Sequence, residues 1–190
     1  MELLKEKILK EGIVEDGNIL RVDNFLNHRL DIEFINEIGL ELNHMFKNKG
    51  INKILTIESS GIAIATIAAQ YLHVPAIFAK KNTHVNLPEE VYIEKVNSYT
   101  EKTDKNIVVA KKMLTPDDKI LIIDDFLAKG NALKALINMV NKAGGEIKGI
   151  AIVIEKAFQG GGDEIRKMGY EVTSLAKIKS MDNGTIQFED

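Results

Sequence analysis

The chain has 190 residues, 45% apolar and 28% charged, the balance of an ordinary globular protein and not of a disordered segment. That length accommodates one well-packed α/β domain with an appendage and is short for two full domains. A formal charge of −3 gives no general attraction to nucleic acid or an anionic membrane, and the absence of cysteine excludes disulfides and thiolate chemistry.

In chain order, residues 2–11 place Leu3, Leu4, Ile8 and Leu9 on one helical face, with Gly12 as the stop. Asp16-Gly17-Asn18 is a turn signal, and Ile19–Val22 follows as a short strand. Phe25–Asp31 has no clean period. A second amphipathic helix runs from about Asp31 to Lys47, and Gly50 ends that unit. Strands and helices then alternate: strand Ile51–Ile57, helix Ile62–Leu72, strand Val74–Ala79. Lys80–Glu90 is polar and reads as an exposed loop. Val91–Tyr99 and Ile107–Lys112 read as a strand pair, with Thr100–Asn106 between them. Ile120–Ile123 is a continuous apolar run, as a strand buried on both faces requires, and it ends on Asp124 and Asp125. A small-residue loop, Ala128–Ala132, leads into Leu133, Leu136, Ile137 and Val140 at helical spacing. Ile147–Ile154 is another apolar strand. A turn at Gln159–Gly162 precedes a helix near Asp163–Met168. Glu171–Ile178 is a strand, and Asp182-Asn183-Gly184 turns the chain into a last one, Thr185–Phe188. Successive β-α-β units predict a mostly parallel central sheet covered by helices. The expectation is a single α/β domain spanning residues 1–190.

Strand, acidic pair, small loop and helix form the layout of a sugar-phosphate site at the C-terminal edge of a parallel sheet. Carboxylates accept hydrogen bonds from sugar hydroxyls and hold Mg²⁺ directly or through water. Backbone N–H groups around Gly130 are free to approach an anion at a helix start. The plainer alternative is an Asp-capped helix start with a glycine turn. Glu58-Ser59-Ser60-Gly61 follows the first sheet strand and opens a helix, which suits either an anion or an N-cap box. Lys80-Lys81 reads as a solvated face or as a phosphate contact. His28, His44, His73 and His84 lack paired spacing for zinc. Gly160–Gly162 before a helix reads as a flexible turn capped by Asp163, in preference to another anion nest.

The stretch Ile120–Gly130, reading ILIIDDFLAKG, resembles the phosphoribosyl pyrophosphate (PRPP) signature of the type I phosphoribosyltransferases. Val22–His28, Thr56–Ile62 and Val153–Gln159 extend the similarity to the bacterial xanthine phosphoribosyltransferases over nearly the whole chain. The resemblance implies that fold, with a small hood contributed by about residues 1–35 and the region after 156. It implies transfer of the phosphoribosyl group from PRPP to xanthine, with Mg²⁺ arriving with PRPP. Asp124 and Asp125 would then hold the ribose hydroxyls, directly or through the metal. Ala128, Lys129, Gly130, Asn131 and Ala132 would wrap the 5′-phosphate. Ser59, Ser60, Gly61, Lys80 and Lys81 would meet the pyrophosphate. Leu20, Asn27 and Lys156 would contact the base. Phe158 is added on its own chemistry, as a ring able to stack on a purine, against the alternative of a packed core aromatic. Where the family often carries Asn-Gly-Gln in the phosphate loop, this chain has Lys129-Gly130-Asn131, which leaves the backbone cradle intact.

The same resemblance implies a homodimer, with loop 80–90 near the neighbouring active site. Residues 1–5 lack the apolar core of a signal peptide and no run approaches a membrane span, so a cytoplasmic location without membrane partner is expected. Two rivals remain. One is a sister enzyme for hypoxanthine, guanine or adenine. The other is a PRPP-sensing regulator, which needs a basic recognition helix that residues 1–50 do not offer.

Overall fold

The computed structural model describes residues 1–17, 19–82, 90–97 and 104–189, with the backbone alone for Asn82, Asn97, Asp104, Lys105 and Asn183. Helix α1 (Glu2–Glu11) comes first and is followed by a two-stranded hairpin, β1 (Ile13–Glu15) and β2 (Ile19–Arg21). A short π-type turn over Asp23–Asn27 leads to α2 (Ile32–Phe46), whose N-cap Asp31 accepts a hydrogen bond from the Phe34 amide at 3.2 Å. Then come β3 (Lys53–Ile57), α3 (Gly61–Leu72), β4 (Ala76–Asn82), β5 (Val91–Asn97), β6 (Asp104–Ala110) and β7 (Lys119–Leu127). The chain closes with α4 (Asn131–Ala143), β8 (Glu146–Lys156), α5 (Gly161–Lys167), β9 (Val172–Ser180) and β10 (Gln187–Phe188).

Among the described residues the main sheet has eight strands in the order β10-β9-β8-β7-β3-β4-β6-β5. The five from β9 to β4 are mutually parallel. β10, β6 and β5 add antiparallel edges. This is the mostly parallel α/β sheet that the alternation of apolar runs predicts. Alternate residues of β7 serve opposite faces, as strand geometry demands. Leu121 and Ile123 join the core under α1, α2 and α3, whereas Ile120 and Ile122 join the core under α4. Among the described residues the hairpin makes no ladder with the main sheet. It is attached through Leu20, Val22, Phe25 and Leu26, which lie in the first of these cores.

Three boundaries differ from the sequence expectation. β4 runs on through Lys80 and Lys81, which pair with Val108 and Ile107 of β6, so the lysines stand on a strand and not in a loop. An antiparallel partner on the sheet edge accepts polar residues that a fully buried strand would not. For the same reason β6 starts at Asp104, within the expected connection. The remainder of the expected 80–90 loop, residues 83–89, lies outside the described residues. Finally, β7 does not end at the acidic pair but continues to Leu127 alongside β8. Ile123 and Phe126 nevertheless pack on the same core although three residues apart, so the alternation slips by one across Asp124-Asp125.

Candidate active site

Parallel strands carry their crevice at their C-terminal ends. Here β3 and β7, adjacent in the sheet, deliver Ile57–Ser60 and Asp124–Ala132 to the same end. Two cavities open there. The first, about 350 Å³, is lined by Glu58, Ser59, Ser60, Lys81, Asp124 and Asp125, with Val96 and Ile107 from the antiparallel edge. The second, about 650 Å³, is lined by Ile19, Phe126, Lys156, Phe158 and the loop Leu127–Leu133. Asp124, Val96 and Ala132 border both, so the two form one cleft around the acidic pair.

The acids are not equivalent. Asp124 is 5% exposed, whereas Asp125 is half-buried. The Asp125 amide donates to Asp124 Oδ1 at 3.0 Å. Burial, then the adjacent Asp125 charge, raises Asp124 well above the usual carboxylate range, against a smaller opposing pull from Lys81. A desolvated carboxyl in a cleft is drawn toward its ionised form when a cation or a hydrogen-bond donor enters. Gly61 opens α3 directly over this site. A methyl group there would stand 2.2 Å from Thr56 Oγ1 and 3.4 Å from Asp124 Oδ1. The first residue of α3 is therefore glycine because Thr56 lies too close to the helix start for a side chain, with the acid in ordinary contact beyond it. Thr56 is itself 1% exposed, and its hydroxyl has no protein partner.

Beyond β7 the chain turns through Gly130, with φ of +78°, into α4. That left-handed conformation is one glycine adopts without steric cost. The loop presents backbone N–H groups at the positive end of a thirteen-residue helix, the arrangement that binds phosphate. On the other side of the sheet end, the Lys81 amide donates to Glu58 Oε1 at 2.5 Å, tying the β3 turn to β4.

The cleft thus brings together Asp124, Asp125, Ser59, Ser60, Lys81, the loop 128–132, Lys156 and Phe158. Lys156 ends β8 with its Nζ 5.5 Å from the centre of the Phe126 ring, and burial lowers its pKa from the ordinary lysine value. Phe158 is 43% exposed, so its ring faces the cavity instead of a core. Lys80 is exposed, with its amine over Phe78, and does not line the cavities described. Leu20 is 5% exposed within the core, and its neighbour Ile19 lines the second cavity. Asn27 ends the π-type turn with Oδ1 buried and without a protein partner, and it does not line the two cavities described.

Two features lacked a local sequence signal. Gly161 packs its backbone onto the loop before α4: its N–H donates to Ala128 O at 3.1 Å, and a methyl group there would lie 2.2 Å from that oxygen. The triple glycine is therefore a bracing contact and not merely a flexible turn. Glu155, 1% exposed, holds Arg166 through both guanidinium nitrogens at 2.8 and 2.7 Å and accepts a hydrogen bond from Ser174 Oγ. Burial pushes this carboxyl up, and the hydrogen bonds from Arg166 and Ser174 outweigh it, leaving a net lowering.

Comparison with known proteins agrees with this geometry. The phosphoribosyl transferase domain matches residues 21–190. The chain is 53% identical to a xanthine phosphoribosyltransferase of Lachnoclostridium phytofermentans, covering 99% of this chain and 98% of that one. It is 50% identical to one of Clostridium novyi over the whole of both chains. Among solved structures, adenine phosphoribosyltransferase from Thermoanaerobacter pseudethanolicus superposes with a TM-score of 0.77 at 22% identity, covering 92% of this chain and 99% of that one. Giardia lamblia APRTase, complexed with 9-deazaadenine, does so with the same TM-score and identity over 92% and 97% of the respective chains. These structures share the fold. With a match over most of its length and full-length relatives at half identity, the chain belongs to the phosphoribosyltransferase family, in the group of the xanthine phosphoribosyltransferases.

Proposed function

We propose that this protein transfers the 5-phosphoribosyl group of PRPP to N9 of xanthine, releasing pyrophosphate and xanthosine 5′-monophosphate in purine salvage. The observation that carries the reading is the position of Asp124, shared by a cavity with helix-start donors on one side and one with a base-sized apolar wall on the other. In the reaction the N9 lone pair forms the bond to C1, the C1–O bond breaks, and the leaving pyrophosphate takes the electron pair. The base gives up its proton to solvent. Positive charge builds on the ribose ring and negative charge on the leaving group, so positioning and electrostatics supply most of the catalysis.

Within this scheme Asp124 and Asp125 hold the ribose hydroxyls and face the developing positive charge. The loop Ala128–Ala132 seats the 5′-phosphate on backbone N–H groups at the start of α4. Ser59, Ser60 and Gly61 present donors from the start of α3 to the pyrophosphate, with Lys81 opposite and Lys80 contributing from the strand edge. Lys156 donates to a purine carbonyl, Asn27 offers an acceptor to a base N–H, and Phe158 stacks on the ring. Ile19 and Leu20 close the apolar side. The hood of about residues 1–35 and the region after 156 would thereby select the base.

Phosphoribosyltransferases generally use Mg²⁺ with PRPP, and the acids fit it: two hard oxygen donors share the cleft, and among the described residues no larger metal cluster competes. Asp124 and Asp125 would hold the ion, with PRPP oxygens completing its shell, and when bound it would supply neutralisation of the pyrophosphate charge. The family resemblance also supports a homodimer whose 80–90 loop approaches the neighbouring site. Among the described residues no helix is long and apolar enough to cross a membrane, and a salvage role fits the cytoplasm.

The test is to incubate the purified protein with PRPP, Mg²⁺ and each purine base separately while following pyrophosphate release. Xanthine should turn over fastest. Turnover with hypoxanthine, guanine or adenine and none with xanthine would overturn the assignment of substrate.

A further inference from the structure

We propose that the buried Glu155–Arg166 ion pair positions the phosphate loop, by seating α5 so that Gly161 braces the backbone of Ala128–Gly130. The inference rests on the assignment of that loop to the 5′-phosphate of PRPP.

α5 is seven residues long, too short to hold itself in place, and Ile165 is its only buried apolar side chain. What fixes it is polar. Arg166 forks onto both oxygens of Glu155 at 2.8 and 2.7 Å and also donates to the Val172 carbonyl at 3.3 Å. Glu155 is held in turn by Ser174 Oγ of β9, and it pairs in register with Leu127, the last residue of β7. Gly162 lies directly on this pair. A methyl group there would stand 2.0 Å from Glu155 Oε1 and 2.7 Å from Arg166 Nη1, so the start of α5 is pressed onto the carboxylate. The next residue back, Gly161, is the one that donates to Ala128 O and fills the space behind Lys129 and Gly130. An exposed ion pair between Lys134 of α4 and Glu164 adds a second tie between the loop's own helix and α5.

Force therefore passes from Glu155 through Arg166 and α5 to the loop. Without the fork α5 can withdraw, Ala128 O loses its partner, and the loop donors are no longer pre-organised for phosphate. That loss falls on PRPP binding and not on the chemical step. Arg166 and Glu155 are positioning residues; neither lines the described cavities.

Two variants separate this from simple structural support. Arg166→Lys keeps the charge but cannot fork onto both oxygens. Gly161→Ala drives a methyl group against Ala128 O while leaving the ion pair in place. Each should raise the KM for PRPP about 10-fold, with kcat and the KM for xanthine changed less than about 3-fold. A core truncation remote from α5, Leu42→Ala, should lower Tm without moving either KM. Wild-type KM for PRPP in a folded Arg166→Lys, or in Gly161→Ala if Arg166→Lys fails to fold, overturns the proposal. Calorimetric titration of PRPP with Mg²⁺ distinguishes the two levels. No binding by the wild type defeats the functional reading, whereas tight binding by wild type and variants alike defeats only the inference about the ion pair.

Discussion

Replacing Lys156 with methionine isolates the amine that we propose meets the base, at the end of β8 where it lines the cleft. Methionine retains an apolar stem of similar length where the lysine lines the cleft, while the ammonium over Phe126 and its donors are removed. A hydrogen bond from a charged donor contributes about 1.5–3 kcal/mol, which predicts a rise of roughly 10- to 100-fold in the KM for xanthine. Stability should move little. The lost cation–π contact costs about 0.5–1 kcal/mol, and relief from burying an ammonium, which already lowers its pKa, offsets it. Tm should therefore stay within about 4 °C of wild type. Initial rates measured with xanthine varied at saturating PRPP, and then the reverse, give the two KM values separately. The KM for PRPP should change less than about 3-fold, because uniform loss would mean a displaced cleft and not a missing contact. Equal rises in both, or no rise in either, would refute a base-specific role for Lys156.

Other outcomes follow from the same geometry. Asp124→Asn combined with Asp125→Asn should abolish turnover yet stabilise the free protein. The raised native pKa of Asp124 means that wild-type stability falls as pH climbs above the ordinary carboxylate value of 3.8, and asparagine escapes that loss. Each kcal/mol recovered appears as about 2–4 °C in Tm at neutral pH, and a lower Tm in the double variant would contradict the assigned burial cost. Gly61→Ala sets a methyl group 2.2 Å from the Thr56 hydroxyl, and overpacking of this kind costs about 1–3 kcal/mol. Its signature is a lowered Tm together with reduced turnover; wild-type values of both would mean that Thr56 simply rotates away. Glu155 has the opposite sign to Asp124. Its native pKa lies below the ordinary 4.5, so its stabilisation is present above that value and drains away as pH falls through the native pKa. Glu155→Gln should flatten the acid limb of Tm against pH, and an unchanged slope would show that other carboxylates set it.

The central strands were readable because they are buried on both faces. Ile120–Ile123 and Ile150–Ile154 are continuous apolar runs, Ile54–Ile57 is broken only by Thr56, and all lie in the sheet where expected. The antiparallel edge was harder. Lys80 and Lys81 look like loop residues because a strand facing solvent selects no apolar pattern, and only pairing with β6 makes them a strand. β1 escaped notice altogether, since three residues with one half-buried side chain leave no period to detect. The acidic pair was legible as a site, but its asymmetry was not: Asp124 is buried by α3, a contact across 63 positions between Gly61 and the acid. Gly161 and the Glu155–Arg166 pair belong to the same class. An acidic residue closing an apolar strand with an arginine eleven positions on is a weak hint, and only folding shows that the two meet.

The hairpin of β1 and β2 is joined to the rest of the molecule by side-chain packing and not by a backbone ladder. A ladder enforces register: moving one strand shifts every residue on it. A packed attachment tolerates small rotations and changes of side-chain volume, because buried Leu20 and Phe25 can repack while the β7 hydrogen bonds stay as they are. Ile19 therefore rides on an element held by packing, whereas Asp124 stands on a strand hydrogen-bonded to a neighbour within the sheet. Exchanging the hairpin between family members would therefore change the wall that Ile19 gives the cleft while leaving the β7 ladder as it is.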